Sequence, residues 1–413
     1  MGGCGLIFLM IKCIKIKRRF PSMKKNNRLF ALAIACLMLL AALTGCASKG
    51  GESTAPATQA QSTQATATQA PTTQTQAEET AVPTTEELPA TRIFTDSVGR
   101  EVEIPTNIQR ILPSGNMAAM FMWPLCSDKL ASLASAFSDS ALKYYGQQYK
   151  DLPITGDLYK TGSKMNVEEV ARLNPDIIID FGEPKATITE DLNNLQELLG
   201  IPCVFIEGSF SNSGNAYRML GDLLNMKEEA ETVAAYIEGI LSKTDKAFET
   251  LQKKTLATAS KTDGAGAGCI AKGTYFDEIW SYMGINVVEV PDGKMYGSTT
   301  VSLEQLQTWD PEYLFLSTAE EYDIVMKDPA WSELKAVKNG NCYVSPNEPQ
   351  SFVSYPSVNR YIGIIWLAEI LYPDQFDWDL KTEIVRFYDL FYHCELTDEM
   401  YNELTGGPGA MPK

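Results

Sequence analysis

Residues 167–180, VEEVARLNPDIIID, and residues 303–316, LEQLQTWDPEYLFL, follow one pattern. Each is an amphipathic helical turn, followed by Asn-Pro or Asp-Pro, an acid and a short apolar run. Proline cannot continue a helix and pushes the residue before it towards extended geometry, so each copy is predicted to pass directly from a helix to a buried strand. The repeat predicts two similar lobes.

Extended segments surround both copies in the same order. The predicted strands of the first lobe lie at 110–115, 129–135, 176–182 and 201–208, and those of the second at 255–260, 284–290, 312–317 and 341–346. Near-continuous apolar strands that alternate with helices are typical of parallel sheets covered on both faces. The predicted fold class is therefore α/β, with two Rossmann-like parallel-sheet lobes. A single large doubly wound sheet is the alternative.

The stretch between the lobes, residues 214–254, has no proline and carries apolar residues at helical spacing. A break at Asn225-Met226 would leave one helix of about thirty residues as the connector. A stiff helix resists hinge opening. Two α/β lobes held in this way create a cleft at the carboxyl ends of the strands, where open α/β sheets generally bind ligands.

The amino-terminal segment has the features of an export signal. Residues 23–28, MKKNNR, are basic, residues 29–42 are apolar but too short for a comfortable membrane span, and LTGC at 43–46 follows. This tetrapeptide resembles a bacterial lipobox, which implies cleavage before Cys46 and a diacylglycerol group on its sulfur. An ordinary signal peptide with a fortuitous cysteine is the alternative. Because a signal peptide starts near its basic region, Met23 is the predicted start.

These features divide the chain into six predicted segments. They are an upstream extension (1–22), a lipoprotein signal peptide (23–45), a disordered Thr/Gln/Ala/Pro tether (46–90), an amino-terminal lobe (91–212), a helical connector (213–254) and a carboxy-terminal lobe (255–413). The tether repeats TQA and has too few apolar side chains to bury a core.

Charge argues against polyanionic partners. The chain holds 35 Lys and Arg against 52 Asp and Glu, and nine of the basic residues but no acid lie within residues 1–49. The remainder is therefore strongly acidic, which opposes nucleic acid and anionic lipid and otherwise serves solubility. It weakly disfavours a large polyanionic ligand, but a small oxyanion held by local dipoles stays open.

Motifs for metal binding and catalysis are missing from the sequence. The one histidine, His393, cannot supply the several imidazoles that a bare zinc or manganese site normally uses. No GxSxG elbow, P-loop or strand-linked GxGxxG is present. Of the cysteines beyond Cys46, none forms a CxxC pair, and Cys203 and Cys342 fall in predicted strands as small buried hydrophobes. We predict no catalytic residue, resident metal, cofactor or disulfide framework.

Five stretches together resemble the class III solute-binding proteins of bacterial ABC importers. They are DSVGREVEIPTNIQRILPSG (96–115), LPITGDLYKTGSKMNVEEVARLNPDIIIDFG (152–182), KGTYFDEIWSYMGINVVEV (272–290), VSLEQLQTWDPEYLFLST (301–318) and DPAWSELKAVKNGNCYVSP (328–346). The resemblance covers residues 92–395. It implies two lobes with little hinge motion and a ligand that is siderophore-bound iron, haem, a corrinoid or, in some branches, molybdate or tungstate. It also implies handover to a permease with its ATPase.

The resemblance also carries a docking hypothesis. Members commonly place a glutamate on the first helix of each lobe, where it meets arginines of the permease. Glu278 matches this position in the second lobe, with Asp277 as the adjacent candidate, whereas residues 116–123 contain no acid. A solvated helical acid is the alternative for Glu278.

Ligand contacts are expected from strand-to-helix loops on the cleft side. Ser114-Gly115-Asn116 ends the first strand and opens a helix whose backbone N–H groups would suit negative atoms, with plain N-capping as the alternative. Tyr355 precedes a proline-started helix, and Arg360 would bind an anionic chelate or oxyanion through two hydrogen bonds. A salt bridge to a neighbouring acid is the alternative for Arg360. The remaining candidates are Tyr159, Lys160, Gly182, Glu183 and Tyr296.

The predicted function is therefore that of a receptor without chemistry of its own. A monomer, lipid-anchored on the extracytoplasmic face of the bacterial membrane, would capture a metal complex for an ABC importer. An iron chelate is the leading ligand, and corrinoid, haem and molybdate or tungstate are the alternatives. A different class, an extracellular enzyme using Glu183 with Asp157, is the second alternative.

Overall fold

The computed structural model describes residues 89–160, 162–290, 298–353 and 357–412. The predicted signal peptide, Cys46 and nearly all of the tether lie outside these residues, as do Tyr296 and Tyr355. The lipobox, the tether and these two ligand candidates therefore stay predictions from the sequence.

The described strands are β1 (Thr91–Thr95), β2 (Glu101–Pro105), β3 (Ile111–Pro113), β4 (Ile177–Gly182), β5 (Cys203–Glu207), β6 (Thr255–Asp263), β7 (Gly266–Ile270), β8 (Ile285–Asn286), β9 (Ser298–Ser302), β10 (Tyr313–Leu316) and β11 (Cys342–Val344). The first-lobe helices are α1 (Asn116–Cys126), α2 (Leu142–Tyr145), α3 (Val167–Leu173) and α4 (Ile188–Leu199). Helices α5 (Ser213–Leu224) and α6 (Lys227–Phe248) follow. Those of the second lobe are α7 (Glu278–Met283), α8 (Leu303–Trp309), α9 (Ala319–Lys327), α10 (Lys335–Lys338), α11 (Arg360–Leu371), α12 (Leu380–Tyr392) and α13 (Asp398–Thr405).

The first lobe contains a parallel sheet in the order β3-β4-β5. Every residue of β4 is buried, as expected for a strand covered on both faces. The predicted strand at 129–135 is wrong. Leu130 bridges to Ile111 and Leu133 bridges to Ile154, so the segment divides its pairing between two partners and forms no continuous ladder.

The second lobe contains a mixed sheet in the order β11-β10-β6-β7-β9, with β8 also paired to β6. The four predicted strands are present as β6, β8, β10 and β11, and they run parallel. The antiparallel strands β7 and β9 were not predicted. A Cβ on Gly266 would lie 2.1 Å from the Val301 carbonyl oxygen, so this glycine lets the two strands approach. The two-lobed α/β fold class is confirmed, but the second sheet is not purely parallel.

The antiparallel hairpin of β1 and β2 was also not predicted. Its inward positions alternate along each strand, with Phe94, Val102 and Ile104 buried. One hydrophobic core then runs through both lobes, while the opposite face of each sheet packs a smaller core of its own. The lobes are therefore joined by a shared hydrophobic core.

The sequence repeat corresponds to α3 with β4 and to α8 with β10. The Asn166 side chain accepts hydrogen bonds at the start of α3, and Ser302 does so at the start of α8. The predicted extended geometry before each proline is wrong, because Asn174 has φ 44° and Asp310 has φ 43°. Asn and Asp tolerate the left-handed region, and a left-handed residue before the proline ends a helix as effectively as an extended one.

The connector is broken where the sequence predicted. Asn225 is left-handed, with φ 58°, and separates α5 from α6. Helix α6 alone continues to the second lobe, and it has 22 residues rather than about thirty. Arg218 of α5 ties the two helices through hydrogen bonds to Glu231 and Glu238. At a rise of 1.5 Å per residue the strut is about 33 Å long.

Candidate functional site

A cavity of about 920 Å³ lies between the two lobes. The first-lobe wall is built from the carboxyl ends of β3 and β4, the start of α1 and the loop at 157–160. Residues 273–275 and Glu278 form the second-lobe wall, and the Tyr275 hydroxyl lies 3.2 Å from the Met117 sulfur across the cleft. This is the edge at which parallel sheets generally bind ligands.

Most of the predicted ligand residues meet at this cavity. Its lining includes Ser114, Gly115, Tyr159, Lys160, Gly182 and Glu183. Asn116 does not line it; its side-chain oxygen accepts a hydrogen bond from Ser135 at 3.0 Å, beside a neighbouring cavity of about 310 Å³. Arg360 is not among the lining residues either.

Asp180 organises the first-lobe wall. It is 4% exposed, it accepts a hydrogen bond from the Ser114 hydroxyl, and its other oxygen accepts one from the Tyr159 hydroxyl at 3.1 Å. Lys185 lies 3.8 Å from that carboxylate and 3.5 Å from the centre of the Tyr159 ring. Burial, and then the Asp180 charge, hold the pKa of Tyr159 well above its usual range. The sequence analysis missed Asp180, although a lone acid inside a buried strand was a signal for it.

Asp157 lies against the first turn of α1. Its Oδ1 accepts a hydrogen bond from the Tyr159 backbone N–H at 2.9 Å, and a Cβ on Gly115 would lie 2.3 Å from its Oδ2. The absence of a side chain at Gly115 therefore makes room for this carboxylate. Helix α1 has no side-chain cap and no acid in its first turn. The negative group beside this helix terminus is thus supplied by another loop of the same lobe.

Arg360 is buried beneath the cleft, with 4% of its surface exposed. Its Nη1 donates a hydrogen bond to Glu278 Oε2 at 2.8 Å, and its Nη2 donates one to the Gly208 carbonyl at 3.1 Å. The guanidinium also lies 5.0 Å from the centre of the Phe210 ring. Of the two roles that the sequence left open for Arg360, this geometry corresponds to the salt bridge. The guanidinium is bonded to Glu278 and Gly208 and is not directed towards a ligand.

The two docking candidates have different surroundings. Asp277 is 2% exposed and accepts hydrogen bonds from the Gly273 N–H, the Ser281 hydroxyl and the Asn286 amide. This burial argues against Asp277 as a contact for a permease. Glu278 lines the cleft, where burial raises its pKa, Arg360 lowers it and Glu183 raises it. Docking through Glu278 stays a prediction.

A second, smaller cavity of about 270 Å³ lies at the carboxyl ends of the second-lobe strands. Among the described residues, its lining contains hydroxyl and aromatic side chains and no charged side chain, and this cavity was not predicted from the sequence. Ser260, Ser317 and Ser345 provide hydroxyl groups, and Phe276 and Trp280 provide rings. The lining of this cavity therefore differs from the charged first-lobe wall of the larger cavity.

Three further observations apply to the described ranges. Cys203 and Cys342 are 0% and 1% exposed, which confirms the prediction that they are small buried hydrophobes. Within residues 89–160, 162–290, 298–353 and 357–412, no group of three or more His, Cys, Asp or Glu is placed to hold a metal ion. In the same part of the chain, no helix combines the length and the apolar character needed to cross a membrane.

The sequence profile described as periplasmic binding protein matches residues 128–349. The chain belongs to this family. Membership makes it a binding protein rather than an enzyme, and it confirms the resemblance to solute-binding proteins of ABC importers. The matched residues include the loop at 157–160, β4 and Glu278, and so most of the cavity wall.

Individual relatives of the periplasmic binding protein family are distant. The molybdate-binding protein MolA of Haemophilus influenzae is 23% identical, over 73% of this chain and 91% of that protein. The iron(3+)-hydroxamate-binding protein YxeB of Bacillus subtilis is 22% identical, over 83% of this chain and 96% of that protein. An ABC transporter solute binding protein from Sulfurospirillum deleyianum has a TM-score of 0.68 at 23% identity, over 76% of this chain and 99% of that one. At this sequence identity, the similarity to the Sulfurospirillum deleyianum structure shows the fold alone.

Proposed function

We propose that the protein is the extracytoplasmic receptor of an ABC importer, which captures a metal complex in the interlobe cleft and delivers it to a permease and its ATPase. The cavity of about 920 Å³ carries the proposal. Small-molecule sites typically measure roughly 300–1,000 Å³, so the volume suits a chelated metal rather than a bare ion. An iron chelate is the leading ligand, and corrinoid, haem and molybdate or tungstate remain alternatives.

The contacts between the lobes support a receptor that opens little. Helix α6 is a continuous strut of 22 residues. Arg360, on a helix of the second lobe, donates hydrogen bonds to Gly208 of the first lobe and to Ser213 at the start of α5. A wide opening would break these buried contacts, so ligand entry is expected to need only a slight separation of the lobes.

Binding without turnover is the test of this function. Protein purified without denaturation is to be titrated calorimetrically with ferric chelates, a corrinoid, haem and molybdate, and the bound compound recovered and identified by mass spectrometry. We expect one compound to bind once per chain and to be recovered unchanged. Consumption of the compound, or the failure of every compound to bind, would contradict the proposal.

Membrane anchoring through Cys46 is expected from the LTGC run at 43–46. In a bacterial host, the mature wild-type protein should partition into the detergent phase and carry lipid, whereas Cys46→Ala should be released or retain its signal peptide. Cys36→Ala is the matched control, because Cys36 lies in the apolar segment before the cleavage point. A lipidated, normally processed Cys46→Ala protein would disprove the anchor.

A further inference from the structure

We infer that the cleft is built for a metal complex without net negative charge, and that it discriminates against oxyanions and anionic chelates. This inference rests on the proposed function and names the class of ligand. It reverses the role that the sequence suggested for Arg360 and for the turn at 114–116. The reason is that most donors suited to an anion are already hydrogen-bonded within the protein or lie beside one of its carboxylates.

The hydroxyl groups of the first-lobe wall are the first such donors. The Ser114 hydroxyl and the Tyr159 hydroxyl both donate to Asp180, one to each carboxylate oxygen. Ser114 is 2% exposed, so it has little freedom to turn towards a ligand. An oxyanion would have to displace Asp180 from both hydroxyls, and Asp180 is itself buried and would lose its partners.

The backbone N–H groups at the start of α1 are the second set of donors that would suit an anion. A helix amino terminus attracts negative charge, but here Asp157 lies against it in the space that Gly115 leaves. Asp157 is fixed by the hydrogen bond from Tyr159 N–H, and its loop is tied to the end of β3 by the bond from Leu158 N–H to the Ser114 carbonyl at 2.8 Å. A bound anion would therefore meet a carboxylate rather than unoccupied N–H groups.

Arg360 is the third donor group that would suit an anion. Its guanidinium is held by Glu278 and by the Gly208 carbonyl, and only 4% of the residue is exposed. The arginine therefore neutralises a carboxylate at the cleft wall and presents no edge to a ligand. Bidentate recognition of an anion, which is the usual advantage of arginine, is thereby lost.

The balance of charge at the cavity points the same way. Among the described residues, its lining contains four carboxylates and two ammonium groups, namely Asp157, Asp180, Glu183, Glu278, Lys160 and Lys185. Lys185 is already directed to Asp180 and to the Tyr159 ring. Because Arg360 neutralises Glu278, an excess of one carboxylate remains. A partly buried cleft with this excess favours a neutral or cationic complex.

A panel of iron complexes that differ in charge, with molybdate as an oxyanion, tests the inference. Wild-type protein is to be titrated with a cationic ferric trihydroxamate, a neutral ferric trihydroxamate, a ferric tris-catecholate, ferric citrate and molybdate. We expect the cationic or neutral complex to bind at least roughly tenfold more tightly than each anionic one. Binding of anionic members alone would leave the proposed receptor function standing and overturn the inference. Binding of none, with no binding of haem or a corrinoid either, would overturn both.

Charge variants separate electrostatics from shape. Glu183→Gln should weaken the cationic trihydroxamate roughly tenfold while the neutral one changes little, because only the former gains from the carboxylate. The matched control is Glu197→Gln, an exposed residue of α4 outside the cavity lining, for which both affinities should match wild type. Equal losses for both complexes in Glu183→Gln would overturn the electrostatic explanation.

Discussion

Arg360→Ala is expected to lower the free energy of unfolding by about 3 kcal/mol, near the lower end of the cost of breaking a buried ion pair. The substitution leaves Glu278 and the Gly208 carbonyl without their donor and removes the guanidinium from the ring of Phe210. The loss stays at the lower end because the Glu278 side chain is 36% exposed and keeps some solvent. Urea denaturation of wild type and variant measures the difference.

Two further measurements determine what Arg360 does. Arg360→Lys should lose part of the stability, because one ammonium group cannot replace a guanidinium that donates to two acceptors. At temperatures where Arg360→Ala is fully folded, its affinity for a neutral ferric trihydroxamate should stay within a few-fold of wild type. Unchanged stability with a large loss of affinity would instead make Arg360 a ligand-binding residue.

Asp180→Ala is expected to have the second largest effect. It leaves the Ser114 and Tyr159 hydroxyls without their acceptor, and an unsatisfied buried group costs about 1–3 kcal/mol, so we expect a loss of about 2 kcal/mol in stability. Because the same groups shape the first-lobe wall, affinity should also fall roughly tenfold or more. Chemical denaturation and calorimetric titration give the two quantities.

Asp180→Asn is the control for Asp180→Ala. The amide keeps the size of the side chain and one acceptor oxygen, so its stability should lie between wild type and Asp180→Ala. If Asp180→Ala proved as stable as wild type and bound the complex as tightly, Asp180 would not organise the wall.

The fold was largely predictable because its strands are buried on both faces and appear in the sequence as apolar runs. Strands β7 and β9 were missed since GAGAGC at 264–269 has no apolar pattern, and its pairing depends on contacts with residues 298–302. The segment at 129–135 was misassigned for the opposite reason: its apolar residues pack, but its backbone pairs only at isolated bridges.

The position of the site was predictable from topology, whereas the pairing of its side chains was not. Ser114 lies at the end of one predicted strand, Glu183 follows another, and parallel strands end at a common edge. The hydrogen bonds of Arg360 are made to Glu278, a residue far away in sequence, and to the Gly208 carbonyl of the other lobe. No local pattern reports such contacts, so the sequence left the ligand and salt-bridge roles open.

The most direct test of the account is a crystal structure of the protein with its tightest-binding iron complex, in which anomalous scattering locates the metal. The account predicts one metal peak inside the cavity, between the first-lobe wall at Asp157 and Glu183 and the second-lobe wall at Tyr275 and Glu278. A metal peak outside this cleft would contradict it.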